Sequence, residues 1–402
     1  MSPTLTLKEA QRLILDLAEP TPAEEISLDC GLGRVTAEAL RAELPVPSFN
    51  HSTRDGYAVK RIDLLTASSA SPISLEVKGE IPAGCTNIPA LTRGTTLRIM
   101  TGAPIPRGSD LVLAQEDIEK SNGRVIVDRL SAPCNYIRRK GSDLAKGALI
   151  VGKGSILTPN HLALLATAGS GSIRVHRKAG VAVVCTGSEL VHREKSPLAG
   201  QVISSNRLLL DGLIKTFGGV TESLSTAADR TEEIVAELDR LIKSRIPLII
   251  TTGGMGPGKF DLMAEVFSRL EITAVYDSLK VKPGRATMFG AKGASLLFAL
   301  PGPPPAVKLL FNELVKPALL KTSGIKRPSN KAIRAELVES IRLRSGKSLL
   351  LKEGVYFSRK GKLLVRPGDK TANNNCVLLL PTRRKCLKKG ELITIHPTTQ
   401  AL

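Results

Sequence analysis

The apolar residues near the start of the chain recur at the spacing of one face of a helix. They run from Leu7 to Leu17 at intervals of three or four, and Thr6 stands at the capping position before them. The pattern predicts a helix over residues 7–17. Prolines at positions 45 and 47 then interrupt regular structure and indicate a domain boundary near residue 45.

Between residues 46 and 139 the pattern changes to short apolar runs separated by turn residues. The predicted strands are Ile73–Val77, Thr96–Met100, Leu111–Ala114 and Val125–Val127. After residue 140 come a predicted strand, Ala148–Val151, and a predicted helix, Pro159–Ala168, which we expect to pack with the N-terminal helices. The sequence therefore predicts a discontinuous first domain, residues 1–45 and 140–177, interrupted by an inserted β-rich domain, residues 46–139.

From residue 178 buried strands alternate with amphipathic helices, a pattern typical of a parallel sheet covered on both faces. The predicted strands are Val181–Cys185, Ile246–Thr252 and Ser295–Leu300, and the predicted helices are Ser205–Phe217, Thr231–Ser244, Asp261–Leu270 and Ala306–Leu320. Asp229 and Glu232 have the spacing of a capping box at the second helix. Beyond residue 327 the pattern is again strand and turn. We predict an α/β domain over 178–327 and a small β domain over 328–402.

Charge and composition narrow the classes of function. The 402 residues include 57 Lys and Arg against 37 Asp and Glu, a net charge of +20. The basic clusters lack the interleaved aromatic residues that stack on bases, which favours an anionic small-molecule pocket over nucleic acid. Because no run approaches the ~20 apolar residues of a membrane span and the N-terminus lacks a signal peptide, we expect a cytoplasmic protein.

Two glycine-containing loops follow predicted buried strands, where ligands of α/β sheets bind. One is Cys185–Leu190, with Glu189, and the other is Thr251–Asp261, with four glycines. The glycines either present backbone N–H groups to a phosphate or simply make a tight connection to a helix capped by Asp261. The second loop has neither the GxxxxGK[ST] nor the GxGxxG spacing of common nucleotide sites.

A third segment, Lys280–Arg285, places three cations within six residues around a Pro-Gly turn. Clustered cations on a rigid turn suit phosphate or oxyanion binding, and a solvated turn explains them equally well. The proline-rich loop at 301–305 follows a buried strand on the same predicted edge. Carboxylates, cations and glycine loops together suit a hard cation such as Mg²⁺ beside phosphate groups.

Eight short motifs occur along the chain in a fixed order. They are Pro47–Val59, Arg98–Pro106, Ile137–Asp143, Thr186–Leu190, Ser205–Arg207, Gly253–Gly254, Lys282–Gly284 and Leu300–Gly302. In this order they resemble the molybdopterin molybdenumtransferases, the MoeA family that includes the gephyrin E domain, over nearly the whole chain. Proteins that share only the α/β domain lack the motifs at 47–59 and 98–106.

The resemblance implies a multidomain α/β plus β protein. Its parts would be a discontinuous elongated domain, an inserted β domain, a molybdopterin-binding three-layer α/β domain and a C-terminal β-barrel-like domain. It also implies a homodimer with each active site at the protomer interface. The implied reaction is Mg²⁺-dependent insertion of molybdate into adenylylated molybdopterin with release of AMP, and the implied partners are a molybdopterin adenylyltransferase and recipient molybdoenzymes.

Position by position, the resemblance also implies site residues. The catalytic set is Asp55, Asp143, Glu189, Asp229, Asp261 and Lys282. The cofactor-binding set is Gly253, Gly254, Gly256, Lys280, Arg285, Pro301 and Gly302. Glu189 and Asp261 are the implied Mg²⁺ ligands.

The chain departs from the family pattern at five places: Thr53–Arg54 (which adds a cation beside Asp55), Ser188, Ser278, Pro303 and the segment 368–373. Ser188 stands where an Asp is common, and Pro303 replaces an Asn. These departures keep open an alternative function, a non-catalytic protein of the same fold that binds or delivers molybdopterin or the molybdenum cofactor.

Overall fold

The computed structural model of the protein describes residues 4–129, 135–191, 194, 196–255, 262–344, 346–369 and 373–398. The first helix, Leu7–Leu17, confirms the predicted bounds. The Thr6 hydroxyl accepts a hydrogen bond from the Glu9 backbone N–H, and the Glu9 carboxylate accepts one from the Thr6 N–H. This capping box satisfies two backbone donors that the helix itself leaves free.

The segments on either side of the inserted β region pair with one another. Strand Ala23–Ser27 is antiparallel to Ser172–His176, and Leu40–Arg41 is antiparallel to Leu149–Val151. A 3-10 turn at Leu28–Cys30 and the helix Pro159–Thr167 complete this region. The chain therefore leaves and re-enters one packed unit, while the predicted boundaries themselves stay predictions.

The inserted region forms a six-stranded sheet. In spatial order its strands are Leu111–Ala114, Gly56–Val59, Thr95–Ile99, Ile73–Ile81, Arg124–Val127 and Glu119–Ser121. Short 3-10 turns lie at Arg61–Leu64 and Gln115–Asp117. A separate two-stranded ladder, His51–Ser52 with Ile137–Arg138, joins the beginning and end of the insertion.

The central α/β sheet has six strands and mixed direction. Its spatial order is Val220–Ala227, Gly180–Thr186, Leu248–Thr252, Ser295–Leu300, Met288–Lys292 and Thr273–Tyr276. The first four strands are parallel. Met288–Lys292 is antiparallel to both of its neighbours, so Thr273–Tyr276 again runs in the direction of the first four. The expectation of a parallel sheet is thus wrong at one edge, because the connection through Gly293 is too short for the crossover that parallel strands require.

Helices cover both faces of this sheet and make it the middle of three layers. The helical bounds are Ser205–Thr216, Thr231–Lys243, Leu262–Arg269, Pro304–Leu310 and Lys316–Thr322, with a π-turn at Phe311–Val315. Along one strand, Val181 and Val183 pack with the helices that contain Leu210 and Leu319, whereas Ala182 and Val184 pack on the opposite side. This period-two alternation produces two cores from one buried strand.

Two helix predictions need correction. The helix predicted over 306–320 is interrupted by the π-turn before Pro317, which has no N–H to donate to the Glu313 carbonyl. The Gln11 side chain donates to that carbonyl instead, at 2.9 Å. At the helix Thr231–Lys243 the N-cap is Arg230, without a side-chain cap, so the predicted capping box at Asp229 is wrong.

The C-terminal region contains a closed five-stranded barrel. The barrel strands are Ile333–Leu337, Leu349–Arg359, Lys362–Pro367, Cys376–Pro381 and Leu392–Pro397. The long strand Leu349–Arg359 closes the ring because it pairs with two neighbours, and it also carries the short edge strand Val281–Lys282. A further ladder pairs Ile341–Arg342 with Cys386–Leu387. The predicted class, multidomain α/β plus β with a barrel-like C-terminal domain, is confirmed.

None of the helices in the described part of the chain is long and apolar enough to cross a membrane.

One glycine inside a helix and one just after its end allow a matched test of backbone conformation. Gly212 lies inside Ser205–Thr216, and Gly218 follows its end at φ +82°, where its N–H bonds to the Lys215 carbonyl. An added Cβ would meet no atom within 4 Å at either position. We expect Gly212→Ala to stabilise by about 0.5–1 kcal/mol and Gly218→Ala to destabilise by about 1–2 kcal/mol. Thermal midpoints that shift in the same direction would contradict this.

Candidate active site

Three parallel strands end side by side at one edge of the central sheet. The Thr186 hydroxyl donates to the Thr252 carbonyl at 3.3 Å, and the Gly253 N–H donates to the Leu300 carbonyl at 3.0 Å. Because parallel strands share one direction, their carboxyl ends meet here, with the following loops above them. The edge is therefore built from the loops after residues 186, 252 and 300.

A cavity of about 360 Å³ opens at this edge. It brings together five of the residues predicted from the sequence, namely Glu189, Asp229, Gly253, Gly254 and Gly302. Thr186, Thr252, Asn206 and the segment Val202–Ser205 also line it, together with Leu190, Pro303 and Pro304. The cavity thus combines two carboxylates, several hydroxyls and a glycine turn.

The glycine turn depends on a close approach between two loops. Gly253 has φ +100°, and a Cβ at this position would overlap the Thr186 carbonyl oxygen and lie 2.7 Å from the Thr186 hydroxyl. Gly254, at φ +65°, continues the turn. Only glycine fits both the conformation and the space at residue 253, so the turn brings bare backbone to the cavity.

Asp229 and Ser188 hold each other by two hydrogen bonds across the cavity rim. The Ser188 N–H donates to the Asp229 carboxylate at 3.3 Å, and the Asp229 N–H donates to the Ser188 hydroxyl at 3.2 Å. The Ser188 backbone thus holds the Asp229 carboxylate, and the Ser188 hydroxyl holds the Asp229 backbone. Glu189 folds back over Gly187, where a Cβ would lie 2.8 Å from both carboxylate oxygens.

Asn206 is a site residue that the sequence reasoning did not select. It lies in the first turn of Ser205–Thr216, is 9% exposed, and donates to the Gly302 carbonyl at 2.7 Å. Its Oδ1 is buried without a hydrogen-bond partner in the described structure. Buried polar atoms are normally paired, so this atom at the cavity can accept a hydrogen bond from a ligand. The Ser-Asn-Arg motif at 205–207 is the sequence feature that could have indicated Asn206 as a site residue.

The predicted cations lie elsewhere. Lys282 and Arg285 are exposed on the turn around Gly284 and do not line this cavity. Lys280 lines a different groove, between the first helix and the barrel. The sequence spacing predicts one cluster of Lys280, Lys282 and Arg285. In the structure Lys280 lines that groove, and Lys282 and Arg285 do not.

Asp55 and Asp143 also lie outside this cavity. Thr101 donates to the Asp55 carboxylate from its hydroxyl and its backbone N–H, both at 2.7 Å, and these bonds lower the pKa of Asp55. The Arg138 guanidinium bonds the Asp143 carboxylate at 2.7 Å and lowers its pKa. Both acids are therefore ionised at neutral pH.

Of the remaining predicted residues, Gly256 and Asp261 lie outside the described residues, and Pro301 adjoins the cavity without lining it. The described residues contain no group of three His, Cys, Asp or Glu side chains arranged to hold a metal ion. Among the described residues, Glu189 and Asp229 are the two that place carboxylates at the cavity.

Two other departures from the family pattern have local structural roles. The Pro303 carbonyl accepts from the N–H groups of Ala306 and Val307 and begins the helix Pro304–Leu310. The Ser278 hydroxyl is hydrogen-bonded to Thr4 at 3.0 Å and fixes the N-terminal segment away from the cavity. Part of the altered segment 368–373 lies outside the described residues.

Known proteins are similar to this chain over nearly its whole length. Residues 5–169 match the MoeA N-terminal region (domain I and II), and residues 182–321 match the probable molybdopterin binding domain. The molybdopterin molybdenumtransferase of Staphylococcus epidermidis is 30% identical, with 97% of this chain and 95% of that protein aligned. That of Haemophilus influenzae is also 30% identical, with 99% and 100% aligned.

Two crystal structures of molybdopterin biosynthesis moeA proteins from Pyrococcus horikoshii share the fold. Their TM-scores are 0.87 and 0.79 at 28% and 27% identity, over 99% and 98% of this chain and 100% of each solved chain. The fold and its ligand-facing edge define a transferase of molybdenum cofactor biosynthesis. The chain belongs to the molybdopterin molybdenumtransferase, or MoeA, family.

The glycine turn gives a stability test with a control on the same rim. We expect Gly253→Ala to lower stability by about 1–3 kcal/mol, because its Cβ overlaps the Thr186 carbonyl and its φ is positive. Gly302→Ala is the control, since the nearest atom to its Cβ is 3.8 Å away. Thermal unfolding compares the two, and equal midpoints would contradict the close-approach argument.

Proposed function

We propose that this transferase inserts molybdate into adenylylated molybdopterin and releases AMP, with Mg²⁺ as cofactor. The observation that carries the proposal is the cavity at the sheet edge, where Asp229, Glu189, the Gly253 turn and the unpartnered Asn206 Oδ1 converge. The Gly253 turn matches a phosphate group, the two carboxylates match a Mg²⁺ ion that would offset the phosphate charge, and Asn206 Oδ1 matches an N–H donor of a pterin.

The glycine turn would bind the phosphate of the substrate, and Asn206 would orient the pterin. Gly253 and Gly254 carry no side chains, which lets phosphate oxygens approach the backbone of the turn, and the Gly253 N–H itself is engaged by the Leu300 carbonyl. The buried Asn206 Oδ1 accepts hydrogen bonds only, so it suits an amine or ring N–H of the ligand. Leaving it unpaired is costly, which makes it selective for a ligand that carries such a donor.

The donor set of the cavity fits Mg²⁺. The candidate ligands are the carboxylate oxygens of Glu189 and Asp229, and hard cations prefer oxygen. Glu189 and Asp229 would hold the ion, together with Asp261 as the resemblance implies. When bound, the ion supplies positive charge beside the phosphoanhydride. Ser188 keeps the Asp229 carboxylate in place through the paired hydrogen bonds described above.

Asp55, Asp143, Lys282 and Arg285 fit this proposal only if a second copy of the chain contributes. Asp55 and Asp143 are ionised and lie outside the cavity of their own chain. We therefore propose a homodimer in which Asp55 of the inserted domain and Asp143 of the discontinuous first domain face the α/β cavity of the partner. The substrate would come from a molybdopterin adenylyltransferase, and the product would pass to molybdoenzymes.

The reaction is tested with Asp229→Asn. The substitution keeps an acceptor for the Ser188 N–H but removes the charge, so we expect metal insertion and AMP release to fall at least ~100-fold. The assay combines purified protein, adenylylated molybdopterin, molybdate and Mg²⁺, and follows AMP and pterin-bound metal together. Asp239→Asn is the control, because Asp239 pairs with Lys243 on a helix away from the cavity.

Unchanged turnover in Asp229→Asn would contradict the role of this carboxylate. Tight pterin binding by the parent protein without AMP release would contradict the insertion reaction and favour the binding and delivery protein.

The shared site is tested by co-expressing Asp55→Ala and Asp229→Asn chains with different affinity tags. Tandem purification isolates mixed dimers, in which one of the two sites has both acids intact. We expect about half of the parental activity per dimer, since the symmetry places the two acids on different chains. An inactive mixed dimer would contradict a site shared between chains, and chains that do not purify together would contradict the dimer.

A further inference from the structure

A second cavity lies between the first helix, the helix Lys316–Thr322 and the C-terminal barrel. Its volume is about 590 Å³, larger than the active-site cavity, and the two share no lining residue. We call it the basic groove, because Lys8, Lys280, Lys347 and Arg383 line it.

The charges of the basic groove are unbalanced. Its four cations come from the first helix, the segment before Val281–Lys282 and two loops of the barrel region. No Asp or Glu is among the described lining residues, and none of the four cations has a carboxylate within 4 Å in the described chain. The Glu9 carboxylate near Lys280 is engaged by Thr6 in the capping box. Four unpaired cations in one cavity repel one another unless an anion joins them.

The floor of the basic groove is held in place by a buried carboxylate. Glu313 Oε2 accepts from His396 at 2.8 Å, from Gln11 at 3.2 Å and from Asn330 at 3.3 Å, and all three donors line the groove. Glu313 is fully buried within the π-turn. The π-turn, the first helix and the barrel are thus fixed relative to each other, so the groove is formed before any ligand arrives.

We propose that the basic groove binds a small molecule that carries a diphosphate group. Four cations match the three to four negative charges of such a group, and about 590 Å³ lies within the ~300–1,000 Å³ range of small-molecule sites. Leu7, Leu15 and Leu379 form an apolar side of the groove that can cover an organic part of the ligand. The proposal is independent of the reaction proposed for the sheet-edge cavity.

The test uses calorimetric titration with inorganic pyrophosphate and with ADP at physiological ionic strength. Three proteins are compared: the parent, K347Q/R383Q, and K388Q/K389Q as a control that loses the same two charges from the same barrel region. We expect the parent to bind one pyrophosphate per chain in the basic groove and K347Q/R383Q to bind it there at least tenfold more weakly. The control should stay within twofold of the parent. All four positions are exposed, and equal thermal midpoints confirm intact folds.

Equal weakening in both double variants would overturn the proposal, because the net charge of +20 alone would then explain binding. Pyrophosphate binding that is unchanged in K347Q/R383Q would also overturn the proposal, because the ligand would then bind outside the basic groove. The absence of saturable binding to the parent would overturn it as well. ADP and pyrophosphate binding with similar affinity would assign recognition to the diphosphate. ADP binding at least tenfold tighter than pyrophosphate binding would show that the apolar side of the groove also contacts the ligand.

Discussion

The close packing of the Gly253 backbone against the Thr186 carbonyl is the constraint on which the active site depends. The turn after Leu248–Thr252 crosses directly above the end of Gly180–Thr186, and the Gly253 N–H is tied to the end of a third strand at Leu300. With the loops fixed in this way, backbone and the side chains of Asp229 and Asn206 face one cavity. The geometry of the site is therefore a property of the sheet edge as a whole.

The same sheet explains how the remaining regions are attached. The odd-numbered residues of Val181–Cys185 pack into the core that contains the first helix, the helices after Leu300 and parts of the barrel. Glu313 lies at this junction, where the π-turn frees its carbonyl for Gln11 and its carboxylate for His396. Apolar packing and one buried polar cluster thus join three regions of the chain, and the basic groove is the surface left between them.

Much of the fold could be predicted from the sequence where local signals agree with burial. The first helix has both a cap and a regular apolar face, and the strand Gly180–Thr186 is fully buried, so each was recognised within two residues. The edge strand Val220–Ala227 was missed because its residues are largely polar and half exposed. The antiparallel edge was missed because a short turn at Gly293 does not reveal strand direction.

The site was only partly predictable for a different physical reason. Glu189 and the glycines follow predicted strands, and the carboxyl ends of parallel strands meet, so sequence position alone brings them together. Asp229 follows the unpredicted edge strand Val220–Ala227, so only the family resemblance implied it as a site residue. Lys280 and Lys282 are neighbours in sequence, yet Lys280 lines the groove beside the barrel and Lys282 does not. Asn206 carries no charge, and its significance lies in an oxygen that burial leaves without a partner, which only the folded structure reveals.

The central claim is that the edge of the α/β sheet binds the pterin substrate. The most direct measurement is a crystal structure of the protein with adenylylated molybdopterin bound. The account predicts the pterin phosphate beside Gly253 and Gly254, and a pterin N–H group within hydrogen-bond distance of Asn206 Oδ1. Ligand density outside this cavity, for example only in the basic groove, would contradict it.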